Sequence, residues 1–195
     1  MESSEYKIEV TLPAWVKGFL ARAGDVFTDI DARMRLAIDL SRRNIEEQTG
    51  GPFAAAVFEI DTGRLVAAGV NVVHPSNCSL WHGEMVALAL AHRVVGLFDL
   101  SAGGTPRELV TSTEPCAMCY GAVPWSGVRR LVCGAREEDA RAVGFDEGQK
   151  PADWVGALKT RGIEVVRDVL REEAAAVLRR YVETGGLIYN ARGNT

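Results

Sequence analysis

The chain has 195 residues, 47% hydrophobic and 25% charged, the proportions of an ordinary globular protein, and its length suits one domain with terminal extensions that buries on the order of 70% of its unfolded surface. A formal net charge of −4 and a pI of about 5.5 argue against a nucleic-acid-binding surface. No apolar run is long enough to span a bilayer, and the first twenty residues open with acids where a signal peptide carries bases, so the expected setting is the cytoplasm, with neither membrane nor nucleic acid as partner. Four cysteines, two of them in a C-x-x-C pair, point to metal chemistry with spare thiols rather than a disulfide framework.

In chain order, residues 1–28 carry Pro13, Gly18 and Gly24 and show no sustained period. They read as a variable N-terminal extension, and residues 29–195 as the functional domain with its C-terminal helix and tail. From Asp29 onward, Ile30, Met34, Ala37, Ile38, Ser41 and Ile45 share one helical face. Asp29 or Asp31 can cap the start, and Gly50-Gly51 ends it. The run from Phe53 to Ile60 has strand length, and Asp61-Thr62-Gly63 turns it into a second strand from Arg64 to Val70. Residues 71–81 read as a loop. A helix follows from His82 to about Gly96, rich in strong helix formers. Leu109 to Thr113 predicts a strand, and Pro115 suits a first helical position, so Cys116 and Cys119 fall in the first turn of a helix reaching about Ser126. A strand over 129–134, a loop containing Gly144-Phe145-Asp146-Glu147-Gly148, a short strand near Ile163 and a final helix capped by Asp168 complete the order. The pattern predicts an α/β fold, a mixed sheet between helical layers.

Two stretches carry the chemistry: His82-Gly83-Glu84 and Pro115-Cys116-Ala117-Met118-Cys119. Alone, the first reads as a solvated helix start and the second as a redox pair or structural clamp. Together they offer three zinc ligands, His82, Cys116 and Cys119, and a carboxylate, Glu84, outside the set. Structural zinc sites are usually closed by four protein ligands, whereas catalytic ones leave the fourth position to water. Cys78 as a fourth ligand would close the site and leave a zinc-stabilised binding protein without turnover. Unpaired N–H groups at a helix start favour the thiolates that bind metal. His74 and His92 read as loop and helix-surface residues, and Cys133 as a buried small hydrophobe.

H-x-E with P-C-x-x-C is the zinc deaminase signature, and with it the chain resembles the cytidine deaminase-like superfamily. The segments GGPFAAAVFE, TSTEPCAMCYGAVPWSGV and GFDEG look like its bacterial guanine deaminase branch. The resemblance implies a three-layer α/β/α sandwich with about five strands, one Zn²⁺ per subunit, and hydrolytic loss of ammonia from an amino-heterocycle, guanine being expected. A triazine such as ammeline, guanosine, cytosine and tRNA adenosine are the alternatives. It also implies Glu84 as general acid/base, with Phe53 lying against the flat base and Asn71 reading it. Gly83 would offer its backbone N–H, while Phe145 and Glu147 would face a purine. Trp125 is expected as pocket wall or core. Tyr189 lies in a tail of the kind that reaches over the site, sometimes from a partner subunit, which makes a homodimer the expected assembly. Gly83 departs from the usual Ala between His and Glu, and the missing methyl is expected to enlarge the space beside the metal.

Overall fold

Alternation of side chains along three neighbouring strands builds two separate apolar layers. The computed structural model describes residues 8–188 and 190. Its strands are β1 (Ala54–Glu59), β2 (Leu65–Val70), β3 (Arg107–Thr113), β4 (Arg130–Ala135) and β5 (Glu164–Val166). They form one sheet in the order β2-β1-β3-β4-β5. β1 is antiparallel to both β2 and β3, while β3, β4 and β5 run parallel.

Helices α1 (Ala14–Ala23), α2 (Ile30–Glu46), α3 (Val73–Ser76), α4 (Gly83–Val95), α5 (Ala117–Ser126), α6 (Glu137–Ala142), α7 (Trp154–Lys159) and α8 (Arg171–Glu183) surround the sheet. Ala54, Ala56 and Phe58 of β1 pack with Val110 and Val132 against Met34 and Ile38 of α2 and Val177 and Leu178 of α8. Ala55 and Val57 pack with Leu109 and Leu131 against Ala87 and Ala91 of α4, Val123 of α5 and Leu158 of α7. The period of two sends successive side chains to opposite faces, which gives the expected α/β/α sandwich.

α2 starts where the sequence places it: Asp29 is the N-cap and accepts from Ala32 N–H at 2.7 Å. The last helix does not. Asp168 sits at φ +65°, and its carboxylate is taken by Arg136, at 2.7 Å from Nε and 2.8 Å from Nη2. The N-cap of α8 is Leu170. Pro115 likewise precedes the helix, because Cys116 is the N-cap of α5.

Residues before Asp29 are tied to the sheet. Phe27 N–H donates to Gly63 O and Leu65 N–H to Asp25 O, both at 2.8 Å. Val16 of α1 is buried against α2, and Trp15 Nε1–H donates to Thr49 Oγ1 at 2.9 Å. At the opening end of β3, the fully buried Glu108 accepts from Arg33 of α2 and, at 2.6 Å, from Arg130 of β4. Among the described residues, no helix is long and apolar enough to cross a membrane.

Candidate functional site

The chemistry gathers where β3 delivers α5 and where α4 begins. His82 is the N-cap of α4 with extended backbone, and Glu84 lies in the first turn. Cys116 caps α5, and Cys119 is buried one turn in. His82 Nδ1 lies 3.5 Å from Cys116 Sγ and 3.7 Å from Cys119 Sγ, and the three ligand atoms lie within 4.8 Å of one another. Tetrahedral zinc with Zn–S of about 2.3 Å and Zn–N of about 2.0–2.1 Å has an N···S edge of roughly 3.6 Å. The donor set and its spacing therefore fit zinc with three protein ligands. Cys78 is not part of the group.

Electrostatics separate the members. A hydrogen bond from Cys119 brings the Cys116 thiol down to about 4, against its own partial burial, and His82 lowers it further. The same hydrogen bond and deep burial push Cys119 well up. Burial works against charging His82, but the hydrogen bond with Cys116 and the charge of Glu84 outweigh it, so its pKa is raised. Glu84 is only 6% exposed. Burial first, and then the Cys116 thiolate, push its carboxyl up to about 7, opposed by His82. Burial, Cys116 and Glu84 together push Glu147 up to about 8.

A cleft that opens to solvent lies over this group. Phe53, Asn71, His82, Glu84, Phe145 and Glu147 all line it. The rings of Phe53 and Phe145 meet edge to face with centroids 4.8 Å apart, and Phe145 stacks on Tyr181 of α8 at 6.1 Å. Asn71 N–H donates to Phe53 O at 2.8 Å, and its Oδ1 accepts from Val73 N–H at 3.3 Å. The loop bearing Glu147 is pinned to α5, since Ala117 N–H donates to Glu147 O at 2.8 Å.

Two expectations change, and a third falls outside the described residues. A Cβ on Gly83 would lie 2.9 Å from Ala54 Cα and 3.1 Å from Phe53 O, so the missing methyl leaves room for the backbone of β1 and opens no space beside the metal. Trp125 is neither pocket wall nor core: it is 83% exposed and lines a separate hollow with Phe98 and Arg129. Its position near the end of α5 turns its ring away from both apolar layers. Tyr189 lies outside the described residues. Nearby, Leu187 lines the cleft, and Asn190 clasps the 144–146 loop, its Oδ1 accepting from Asp146 N–H and its Nδ2 donating to Gly144 O, each at 2.9 Å.

Sequence reasoning missed three residues around the cleft. Asn44 is fully buried and donates from Nδ2 to Gly51 O at 2.9 Å and Asn71 O at 2.8 Å, which holds the Asn71 turn. Its signal was an amide beside the apolar face of α2. Glu114, buried and lining the cleft, accepts from Glu137 N–H at 3.0 Å and from Arg167. His74 lines the cleft as well; nothing local in its sequence marks it.

Residues 28–135 match the family described as the cytidine and deoxycytidylate deaminase zinc-binding region, and the chain belongs to it, as a zinc-dependent hydrolytic deaminase. Guanine deaminase of Bacillus subtilis is 32% identical over 126 residues, 62% of this chain and 77% of that protein. The solved guanine deaminase of Nitrosomonas europaea is 50% identical, covering 90% of this chain and 96% of its own, with a TM-score of 0.84. The protein NE0047, solved with 2,6-diaminopurine, is 51% identical over 94% of this chain and 97% of its own, with a TM-score of 0.85.

Proposed function

We propose that this deaminase acts on guanine, converting it with water to xanthine and ammonia, with His82, Cys116 and Cys119 as zinc ligands and Glu84 as general acid/base. The observation that supports the substrate reading is Glu147, a carboxylate buried in the same cleft as Glu84. A buried acceptor without a donor costs about 1–3 kcal/mol, and guanine presents N–H donors along one edge where a cytosine ring does not match them. Similarity to the guanine deaminases of N. europaea and B. subtilis supports the same reading.

Zinc, when bound, supplies Lewis acidity that makes a water acidic enough to attack near neutral pH. The residues do the rest. Glu84 takes the proton of the attacking water and delivers it to the ring nitrogen beside C2 as the C2–O bond forms. It then helps pass a proton to the departing amine as the C2–N bond breaks. Phe53 lies against the planar base, with Phe145 fixing its ring edge to face. Asn71, its Oδ1 engaged by Val73, turns its NH₂ toward an acceptor on the heterocycle. Glu147 accepts the N–H donors, which stabilise its ionised form.

The reading includes a homodimer. It is supported by Phe98, 95% exposed, which shares a hollow with Trp125 and Pro124, since large exposed aromatics mark association surfaces. Ammonia release from guanine, guanosine, adenine, cytosine, cytidine and triazines tests the substrate. Guanine is expected to give the highest kcat/KM, and a triazine or nucleoside ahead of it would overturn the assignment.

A further inference from the structure

Lys150 is a lysine whose side chain is 2% exposed. Its ammonium donates to the carbonyl of Pro115 at 2.7 Å, pairs with Glu137 at 2.9 Å, and sits 4.9 Å from the ring centroid of Trp154. Long charged side chains are rarely buried so deeply unless paired. Here one partner is the residue just before the metal-binding Cys116, and Lys150 itself lies three positions after Glu147.

We propose that Lys150 is a positioning residue: its buried ammonium, tying the loop that carries Glu147 to the backbone of Pro115, fixes the Glu147 carboxylate relative to Glu84 and the metal ligands. The tie is one of a set. Ala117 N–H donates to Glu147 O, and Arg141 donates to Gly148 O. Gly148 packs so close that a Cβ there would lie 2.9 Å from the Cβ of Ala117. Lys150 alone among these closes the loop from beyond Glu147 with a side chain. It therefore acts on substrate through Glu147 and touches none itself. Misplacement of a contacting group by about 1 Å can cost on the order of a hundredfold in rate.

This inference rests on the assignment of Glu147 to substrate binding. Its test is a double-mutant cycle of Lys150→Met and Glu147→Gln on the zinc-loaded protein, reading kcat, KM and zinc content. Lys150→Met leaves Glu137 paired with Arg141 at 2.7 Å, so no buried charge is stranded and the variant is expected to fold with one zinc. Its kcat/KM should fall by about tenfold to a hundredfold, mostly through KM, and the double variant should lie within about threefold of Glu147→Gln alone. Multiplying effects, a Lys150→Met rate within about twofold of wild type, or lost zinc would each overturn the proposal. Should Lys150→Met not fold, Lys150→Arg takes its place in the cycle under the same criteria. The cycle is run on the best substrate of the panel, so failure of guanine as substrate leaves the result on Lys150 readable.

Discussion

Gly83 faces the Cα of Ala54 so closely that a Cβ at 83 would stand 2.9 Å away. The first turn of α4, which carries Glu84, therefore rests directly on the backbone of β1. Gly83→Ala gains helix propensity but overpacks this contact, and the two together should cost about 1 kcal/mol. Thermal unfolding should show a Tm lower by roughly 2–4 °C. Because the residue lies between His82 and Glu84, kcat should fall as well. An unchanged Tm would mean that β1 yields freely.

Glu84→Gln keeps the size of the side chain and removes the proposed proton acceptor. The variant should hold one zinc and lose at least about a hundredfold in kcat. Metal analysis alongside single-turnover rates checks both halves, and activity within tenfold of wild type would remove Glu84 from its role.

Glu147→Ala should separate substrates. Guanine turnover should fall by roughly tenfold to a hundredfold, the equivalent of about 1–3 kcal/mol for lost hydrogen bonds to a buried group. Any cytosine turnover should change by less than about threefold. Equal losses on both bases, measured as kcat/KM, would make Glu147 a structural residue.

Zinc loading should release protons. With Cys116 pushed down to about 4 and Cys119 pushed well up, the metal-free pair at neutral pH holds one thiolate and one thiol. Binding as two thiolates and a neutral imidazole displaces at least about one proton, with a further share from His82, whose pKa is raised. Calorimetry in two buffers of different ionisation enthalpy measures it, and apparent zinc affinity should rise with pH. Chelation should abolish turnover, and added zinc should restore it.

The Arg136–Asp168 pair sets a pH dependence of stability. The hydrogen bond with Arg136 holds the Asp168 carboxyl below its ordinary value of 3.8. A lowered folded-state pKa stabilises the fold above the unfolded value, and that contribution disappears as pH falls through the folded one. Asp168→Asn, which suits φ +65°, should lower Tm at pH 7. The gap from wild type should narrow as pH falls below the ordinary carboxyl value of 3.8 and through the lowered folded-state value. A gap that persists there would assign the loss to something other than the ion pair.

The grouping of His82, Cys116 and Cys119 beside Glu84 was legible because each motif is short, local and placed at a helix start by its neighbours. The strands were legible because their apolar runs are bounded by turn residues. Asp168 misled, since capping competes with ion pairing and Arg136 lies 32 residues away in sequence. Trp125 misled because an aromatic beside a site motif looks like pocket wall, and only its direction on α5 shows otherwise. Asn44 and Lys150 were not legible, because both act on backbone carbonyls of distant segments, which leave no sequence pattern.

One strand divides labour along its length. β3 begins at Arg107 and Glu108, the latter clamped between Arg33 and Arg130, and ends by handing the chain to Glu114 and Cys116. Anchor and reaction centre thus occupy opposite ends of a single rigid rod. A substitution in the Phe145–Glu147 loop, held beside one end by Ala117, is therefore expected to leave the Arg33–Glu108–Arg130 clamp at the other end in place.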